Sequence, residues 1–157
     1  MAPSRFGRIT VAIDGSSTSE EALATAIDLA KEYGSELTII TVAPIVPIYL
    51  PSTGPYVVTE PPERDEAPYR SLVDGAVKKA NDAGVSRVTG LCREGVVLDE
   101  ILSQLESHPA DLVVVGSRGL STAKRILIGS VSSSLVTHAP CPVLVVRSPT
   151  VTKPAPG

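Results

Sequence analysis

Three glycines and two serines in the second half of the chain could together bind an anion. Gly116 follows an apolar run, Gly119 comes three residues later, and Gly129 opens a serine-rich segment that contains Ser130 and Ser132. Glycine lets a backbone amide approach a phosphate closely, and the first amides of a helix and serine hydroxyls can donate hydrogen bonds to it. These residues therefore predict a site for a phosphate-bearing ligand.

Two further features could complete this site. Arg118, Lys124 and Arg125 lie beside the glycines, and they either contact phosphates or remain solvated. Asp14 follows an early apolar run and could accept hydrogen bonds from a ribose hydroxyl or a base amino group. Asp14 could instead be a turn residue or the phosphoacceptor of a receiver domain. A receiver would need an acidic pair near the end of its first strand, and residues 8–14 offer none.

The elements that must position these residues alternate between strand and helix. Apolar periodicity and turn residues predict strands at 8–14, 36–42, 87–92, 111–115 and 143–146. They predict a first helix that is capped by Ser17 or Thr18, and so starts one residue later, and ends at 33, followed by helices at 71–83, 97–107 and 131–138. This alternation indicates a parallel sheet with helices on both faces. Ligands of such sheets bind beyond the carboxyl ends of the strands, where Asp14 and Gly116 would face each other if their strands are neighbours.

Length and composition bound the remaining possibilities. The 157 residues predict one domain over 1–148, with a proline-rich loop at 43–68 and a flexible tail at 149–157. The net charge of −3 argues against nucleic acid and anionic membranes as partners. No signal peptide opens the chain, and Cys92 and Cys141 are expected to be free thiols, which fits the cytoplasm. No metal-ligand spacing and no established catalytic motif occurs, so we assign no catalytic or metal residue.

The glycine spacing and four segments of sequence together resemble the universal stress protein (UspA-like) family. Gly116 is followed by two residues, Gly119, nine residues and then Gly129-Ser130. The four segments are Val-Ala-Ile-Asp-Gly-Ser, Leu-Val-Val-Val-Gly-Ser-Arg-Gly, Ile-Gly-Ser-Val-Ser and Ala-Pro-Cys-Pro-Val-Leu-Val-Val-Arg. The resemblance implies a three-layer α/β/α sandwich, similar to the adenine nucleotide alpha hydrolases, with a five-stranded parallel sheet in the order 3-2-1-4-5. The complete glycine pattern implies the ATP-binding branch of the family.

The resemblance also implies which residues contact the nucleotide. Ala12, Val42 and Val115 would form or adjoin the adenine pocket, and Asp14 would contact ribose or adenine. The residues around ribose and phosphates would be Gly116, Gly119, Gly129, Ser130, Val131 and Ser132.

The sequence leaves three functions open, of which the first is the one that the resemblance implies. The first is an ATP-binding module of the stress response, with or without Mg²⁺, which dimerises through the strand at 143–146. The second is a slow ATPase or phosphotransferase, although the sequence offers no evident general base beside the phosphates. The third is a nucleotide-free module that binds an unknown protein partner through the proline-rich stretch.

Overall fold

A five-stranded parallel sheet forms the centre of the structure, a computed structural model that describes residues 5–45, 65–117 and 129–148. The strands are β1 (Arg8–Ala12), β2 (Glu36–Pro44), β3 (Val88–Gly95), β4 (Leu112–Gly116) and β5 (Val143–Val146). They lie in the order β3-β2-β1-β4-β5, and every neighbouring pair is parallel. The predicted fold class and strand order are therefore confirmed.

Within these described ranges, four helices cover the two faces of this sheet. They are α1 (Ser17–Tyr33), α2 (Ala67–Ala83), α3 (Val97–Ser107) and α4 (Ser130–His138). Because successive strand residues point to opposite faces, Val114 packs with α1 and α2, whereas Val113 and Val115 pack with α3 and α4. The result is the three-layer sandwich that the sequence predicts. No helix within the described ranges is both long and apolar enough to cross a membrane.

The first helix begins one residue before the nearer of the two predicted starts. Ser16 is its N-cap residue, and the Ser16 hydroxyl oxygen accepts a hydrogen bond from the amide of Ser19 at 3.2 Å. The capping role assigned to Ser17 or Thr18 is therefore wrong. The turn before the helix explains the shift, because Asp14 Oδ1 accepts the amide of Ser16 at 2.9 Å and fixes Ser16 outside the helix.

The proline-rich segment is shorter than predicted at both ends. Strand β2 continues through Pro44, which pairs with Gly95 at the end of β3, and α2 already begins at Ala67. Proline is acceptable at both places, because Pro44 is the last strand residue and Pro68 lies in the first helical turn, where no intrahelical donor is needed. Residues 46–64 and the predicted tail at 149–157 lie outside the described residues.

A glycine in β3 allows α2 to pack closely on the sheet. A Cβ atom at Gly90 would lie 2.7 Å from Val77 Cγ2 and 3.0 Å from Val73 Cγ1, both on α2. Gly90 lowers the strand propensity of this segment, yet the close approach of the helix explains why the strand runs through it.

Candidate functional site

A cleft of about 360 Å³ lies beyond the carboxyl ends of β1, β2 and β4 and beside the start of α4. Its lining includes all of the predicted site residues except one: Ala12, Asp14, Val42, Val115, Gly116, Gly129, Ser130, Val131 and Ser132. The exception, Gly119, lies outside the described residues, as do Arg118, Lys124 and Arg125. The structure thus brings the nine residues together, and their contact with a ligand stays a prediction.

The strand order explains why residues so distant in sequence meet here. β1 and β4 are neighbours, and Ala12 is the register partner of Val115. The chain leaves β1 toward β2 on one side and reaches β4 on the other side, so a crevice opens between their carboxyl ends. The cleft therefore occupies the position where open α/β sheets bind ligands.

One part of the cleft is apolar. Ala12, Val42 and Val115 are buried members of the cluster between the sheet and α3 and α4, and they form part of the cleft wall. Ile40 and Ile101, also buried, extend this wall. Such a surface suits the flat face of a heterocyclic base.

Several lining residues were missed by the sequence analysis. They are Ile13, Ser19, Ile40, Pro44, Tyr69, Val97 and Ile101. Tyr69 is a half-buried residue of the first turn of α2. It was missed because the predicted helix began only at Ser71, so that no pattern in the sequence linked Tyr69 to the cleft.

Gly116 is required by the packing of the protein itself. A Cβ atom at this position would lie 2.7 Å from the carbonyl carbon of Thr18, 2.8 Å from its oxygen and 2.9 Å from the amide nitrogen of Ser19. All three are backbone atoms of the first turn of α1, which cannot move aside as a side chain can. The sequence predicts that the glycines allow the close approach of phosphate, whereas at Gly116 the start of α1 fills the space.

The side chain of Ser132 is also used within the protein. The hydroxyl of Ser132, a buried residue, donates a hydrogen bond to the carbonyl oxygen of Gly116 at 2.6 Å. This bond joins the first turn of α4 to the end of β4. Because the hydroxyl proton is already engaged, the Ser132 side chain is a poor donor to a phosphate, and its backbone amide is the better candidate.

Asp14 combines a structural contact with a position on the cleft. Its Oδ1 accepts the Ser16 amide, and its own amide donates to the Ser19 hydroxyl at 3.3 Å. The residue is half-buried, and it is the only carboxylate among the described residues that line the cleft. The carboxylate keeps further acceptor capacity for donors of a ligand.

The start of α4 presents backbone donors to the cleft. Gly129 is the N-cap residue, with φ −68° and ψ 161°, and no side chain caps the helix there. The first backbone bond within the helix runs from the Ser133 amide to the Gly129 carbonyl, so the amides of Ser130, Val131 and Ser132 have no partner within the helix. These amides lie at the positive end of the helix dipole, which favours an anion.

The start of α4 also corrects one predicted role of Ser130, that of the helix cap. From the sequence, Ser130 is predicted to be both the N-cap residue of this helix and an anion ligand, and the predicted cap is wrong. In the structure, Gly129 occupies the cap position, and Ser130 is the first helical residue with an exposed side chain. Its hydroxyl is therefore free of a capping role.

The two cysteines lie outside the lining of the cleft. Cys92 and Cys141 are free and half-buried, and burial raises the pKa of both thiols, which disfavours the reactive thiolate. No group of three or more His, Cys, Asp or Glu side chains in the described ranges could hold a metal ion.

Comparison with known proteins gives one consistent family. Residues 5–147 match the family model described as the universal stress protein family. The universal stress protein YxiE of Bacillus subtilis is 38% identical over 148 residues, covering 90% of this chain and 99% of that protein. The universal stress protein MJ0531 of Methanocaldococcus jannaschii is 35% identical over 145 residues, covering 92% and 84%.

A solved structure agrees with this result. The crystal structure of a universal stress protein in complex with cAMP superposes with a TM-score of 0.67 at 26% sequence identity. The match covers 92% of this chain and 98% of that one. The chain therefore shares its architecture, over most of its length, with the universal stress protein that was solved with cAMP.

Proposed function

Because this chain belongs to the universal stress protein family, we propose that it binds ATP in the cleft and acts as a nucleotide-linked module of the stress response. One observation carries the proposal: an apolar wall, a carboxylate and the free amides of a helix start surround the same cleft. These are the three surfaces that a base, a ribose and a phosphate need.

Each part of the nucleotide has a matching group. The wall of Ala12, Val42 and Val115 would hold adenine by burial of apolar surface. Asp14 would accept a hydrogen bond from ribose or from the adenine amino group. The amides of the first turn of α4, with the Ser130 hydroxyl, would donate to the phosphates, with or without Mg²⁺.

A relative with a bound ligand supports the choice of an adenine nucleotide. The universal stress protein solved with cAMP is 26% identical to this chain. Adenine, ribose and phosphate are common to cAMP and ATP, so the same three surfaces would serve either ligand. ATP rather than cAMP is proposed because the complete glycine spacing resembles that of the ATP-binding branch.

The residues of the cleft favour binding over catalysis. Asp14 is its only carboxylate within the described lining, and one of its oxygens already accepts the Ser16 amide. A phosphoryl-transfer enzyme needs a group that orients or deprotonates the nucleophile beside the phosphates. We therefore propose that bound ATP regulates the protein, and that hydrolysis is absent. Release of phosphate from bound ATP in a single-turnover assay would contradict this part.

The experiment on ATP binding is a thermal unfolding series. At 100 times its dissociation constant, a ligand stabilises the folded state by about 2.7 kcal/mol, so ATP should raise the Tm. Gly129→Val should abolish this rise, because a branched side chain at the N-cap position of α4 is expected to hinder the approach of phosphate to the amides of the first turn. Its backbone angles are acceptable for valine, and far-UV circular dichroism of the variant checks that it folds.

Gly75→Val provides the matched control. Gly75 lies on α2, and a Cβ atom there would meet no heavy atom within 4 Å. This variant should keep the full response to ATP. An equal response in Gly129→Val and the wild type would contradict ATP binding in this cleft. Mass spectrometry of ligand released from freshly purified protein gives an independent check, because a bound adenine nucleotide would be identified by its mass.

We further propose that the protein is a cytoplasmic homodimer that pairs through β5. Among the strands of the described residues, β5 has β4 on one side and no strand on the other, and its apolar residues Val143–Val146 are each half-buried. An apolar edge strand invites pairing with another chain, and a second copy would satisfy its backbone groups. Light scattering coupled to size exclusion should give a molar mass of two chains. A mass of one chain across the tested concentrations would contradict the dimer.

A further inference from the structure

A second groove lies on the same face of the sheet as the cleft, near the other end of the strands. It has a volume of about 380 Å³ and lies between β1, β2, β3 and the C-terminal end of α3. None of the residues predicted to bind nucleotide lines it. Any ligand of this groove would therefore be distinct from the proposed ATP.

Three threonines form a row across the floor of the groove. Thr10 is the register partner of Thr38, and Thr38 is the register partner of Thr89, so their side chains share one face of the sheet. Neighbouring strands lie about 4.8 Å apart, so three hydroxyl-bearing side chains lie side by side across the sheet. Within the described ranges, none of the three hydroxyls is engaged in a hydrogen bond with another residue.

The polar character of this row contrasts with the next row on the same face. Two residues further along the strands, the corresponding positions are Ala12, Ile40 and Leu91, which pack with α3 and α4. The face thus changes from apolar to hydroxyl-bearing within one step of the strand. Thr10 is only 4% exposed, Thr38 is half-buried and Thr89 is exposed, so the row runs from the buried floor of the groove to its outer edge.

An arginine beside the row carries positive charge that no carboxylate in the described ranges neutralises. Arg93 Nη2 donates a hydrogen bond to Oε1 of Gln104 at 2.9 Å, and Gln104 is 7% exposed. The hydrogen bond to Gln104 holds the Arg93 guanidinium in place. Because Gln104 is a neutral amide, it does not offset the positive charge of the guanidinium. The carboxylate of Glu36 also lines the groove, but it lies 3.8 Å from Arg87.

From these contacts we propose that the groove binds a small polyhydroxylated anion of the sugar phosphate class. The guanidinium of Arg93 would hold the phosphate, because arginine matches phosphate oxygens with several donors at once. The hydroxyls of Thr10, Thr38 and Thr89 would exchange hydrogen bonds with the sugar hydroxyls, since both can donate and accept. This proposal does not depend on ATP binding in the cleft.

Amide chemical shifts of the full chain test the proposal, with glucose 6-phosphate and inorganic phosphate as probes. Glucose 6-phosphate should shift the amides of Thr38, Thr89 and Gln104 and should bind with a dissociation constant of about 1 mM or tighter. Shifts confined to Gly129 through Ser132 would place the phosphate in the cleft and overturn the proposal. No shift in either region would also overturn it.

Two pairs of variants separate the contributions of charge and hydroxyl. Arg93→Gln should weaken the binding of glucose 6-phosphate by about tenfold, because it removes charge-assisted hydrogen bonds to the phosphate. Arg70→Gln, an equal change of charge on the opposite face, should leave the affinity unchanged. Equal affinities of the two variants would contradict the role of Arg93.

Thr38→Val keeps the shape of the side chain and removes its hydroxyl. It should lower the affinity for glucose 6-phosphate and leave the affinity for inorganic phosphate unchanged. Thr25→Val on α1 should change neither affinity. If inorganic phosphate binds as tightly as glucose 6-phosphate, and Thr38→Val has no effect, the groove binds a simple anion and the sugar phosphate class is wrong.

Discussion

The small residues around the cleft belong to two regions that differ in what they do. In the contacts around Gly116 (Gly116, Thr18, Ser19 and Ser132), the glycine makes room for the backbone of α1, and the Ser132 hydroxyl on α4 donates to the Gly116 carbonyl. In the α4 rim (Gly129, Ser130 and Val131), the residues line the cleft, and no side chain caps the helix. The polar and small groups of the first region are used in contacts between β4 and its neighbouring helices. Those of the second region remain available to a ligand in the cleft.

This difference shows how a glycine- and serine-rich pattern should be interpreted. Gly116 and Gly129 belong to one spacing pattern, and both line the cleft. A substitution at Gly116 must first disturb folding, whereas a substitution at Gly129 or Ser130 can act on the ligand alone. Loss of nucleotide binding in a Gly116 variant would therefore say little about contact with phosphate.

The largest expected effect is that of Gly116→Ala, which tests the β4–α1 contact directly. The new Cβ atom would lie under 3.0 Å from three backbone atoms of α1, so the helix must shift from the sheet. We expect the free energy of unfolding to fall by about 3 kcal/mol, at the upper end of the usual cost of overpacking. Urea denaturation of the two proteins measures this difference. A loss below about 1 kcal/mol would show that α1 adjusts easily and that the contact is not rigid.

Gly90→Ala should have a smaller effect, and it sharpens the distinction between backbone and side-chain neighbours. The new methyl group would meet the side chains of Val77 and Val73, which can rotate, so we expect a loss of about 2 kcal/mol. Adding Val77→Ala should recover part of this loss, because it removes the nearest atom. A double-mutant cycle in urea denaturation measures the coupling. Strictly additive effects of the two substitutions would contradict the proposed contact.

Ser132→Ala should cost about 1 kcal/mol, since it removes one buried hydrogen bond to the Gly116 carbonyl. The exposed neighbour Ser133 provides the control, and Ser133→Ala should leave the free energy of unfolding unchanged within about 0.5 kcal/mol. Equal stability of the two variants would mean that the Ser132 hydroxyl contributes nothing to the contact between α4 and β4.

Most of the architecture could be predicted from the sequence for identifiable physical reasons. Fully apolar runs such as 112–115 and 143–146 favour strands buried in a parallel sheet. Gly34 and Gly84 favour helix ends, because glycine readily adopts the left-handed conformation of a C-cap. Element ends were less predictable. Pro44 and Pro68 carry a strong general preference against regular structure, but each lies at a terminal position where that preference does not apply.

The site was predictable to the extent that it is formed by residues near strand ends. Asp14 and Gly116 both follow apolar runs, and the strand order then brings them to one cleft. Tyr69 could not be found in this way, because it reaches the cleft through the packing of α2. The internal contacts of Gly116 and Ser132 were equally hidden, since they depend on how closely α1 and α4 approach β4.

The smallest expected effect on stability is that of Ser130→Ala, and it tests the α4 rim. Ser130 is exposed, and Gly129 rather than Ser130 is the N-cap residue, so the variant should unfold within about 0.5 kcal/mol of the wild type. Loss of a true N-cap serine would instead cost about 1 kcal/mol. The same variant should lower the affinity for ATP by about threefold, because one hydroxyl donor to phosphate is lost. Titration calorimetry with ATP measures this change. An unchanged affinity together with reduced stability would reverse the assignment, since Ser130 would then serve the helix and not the ligand.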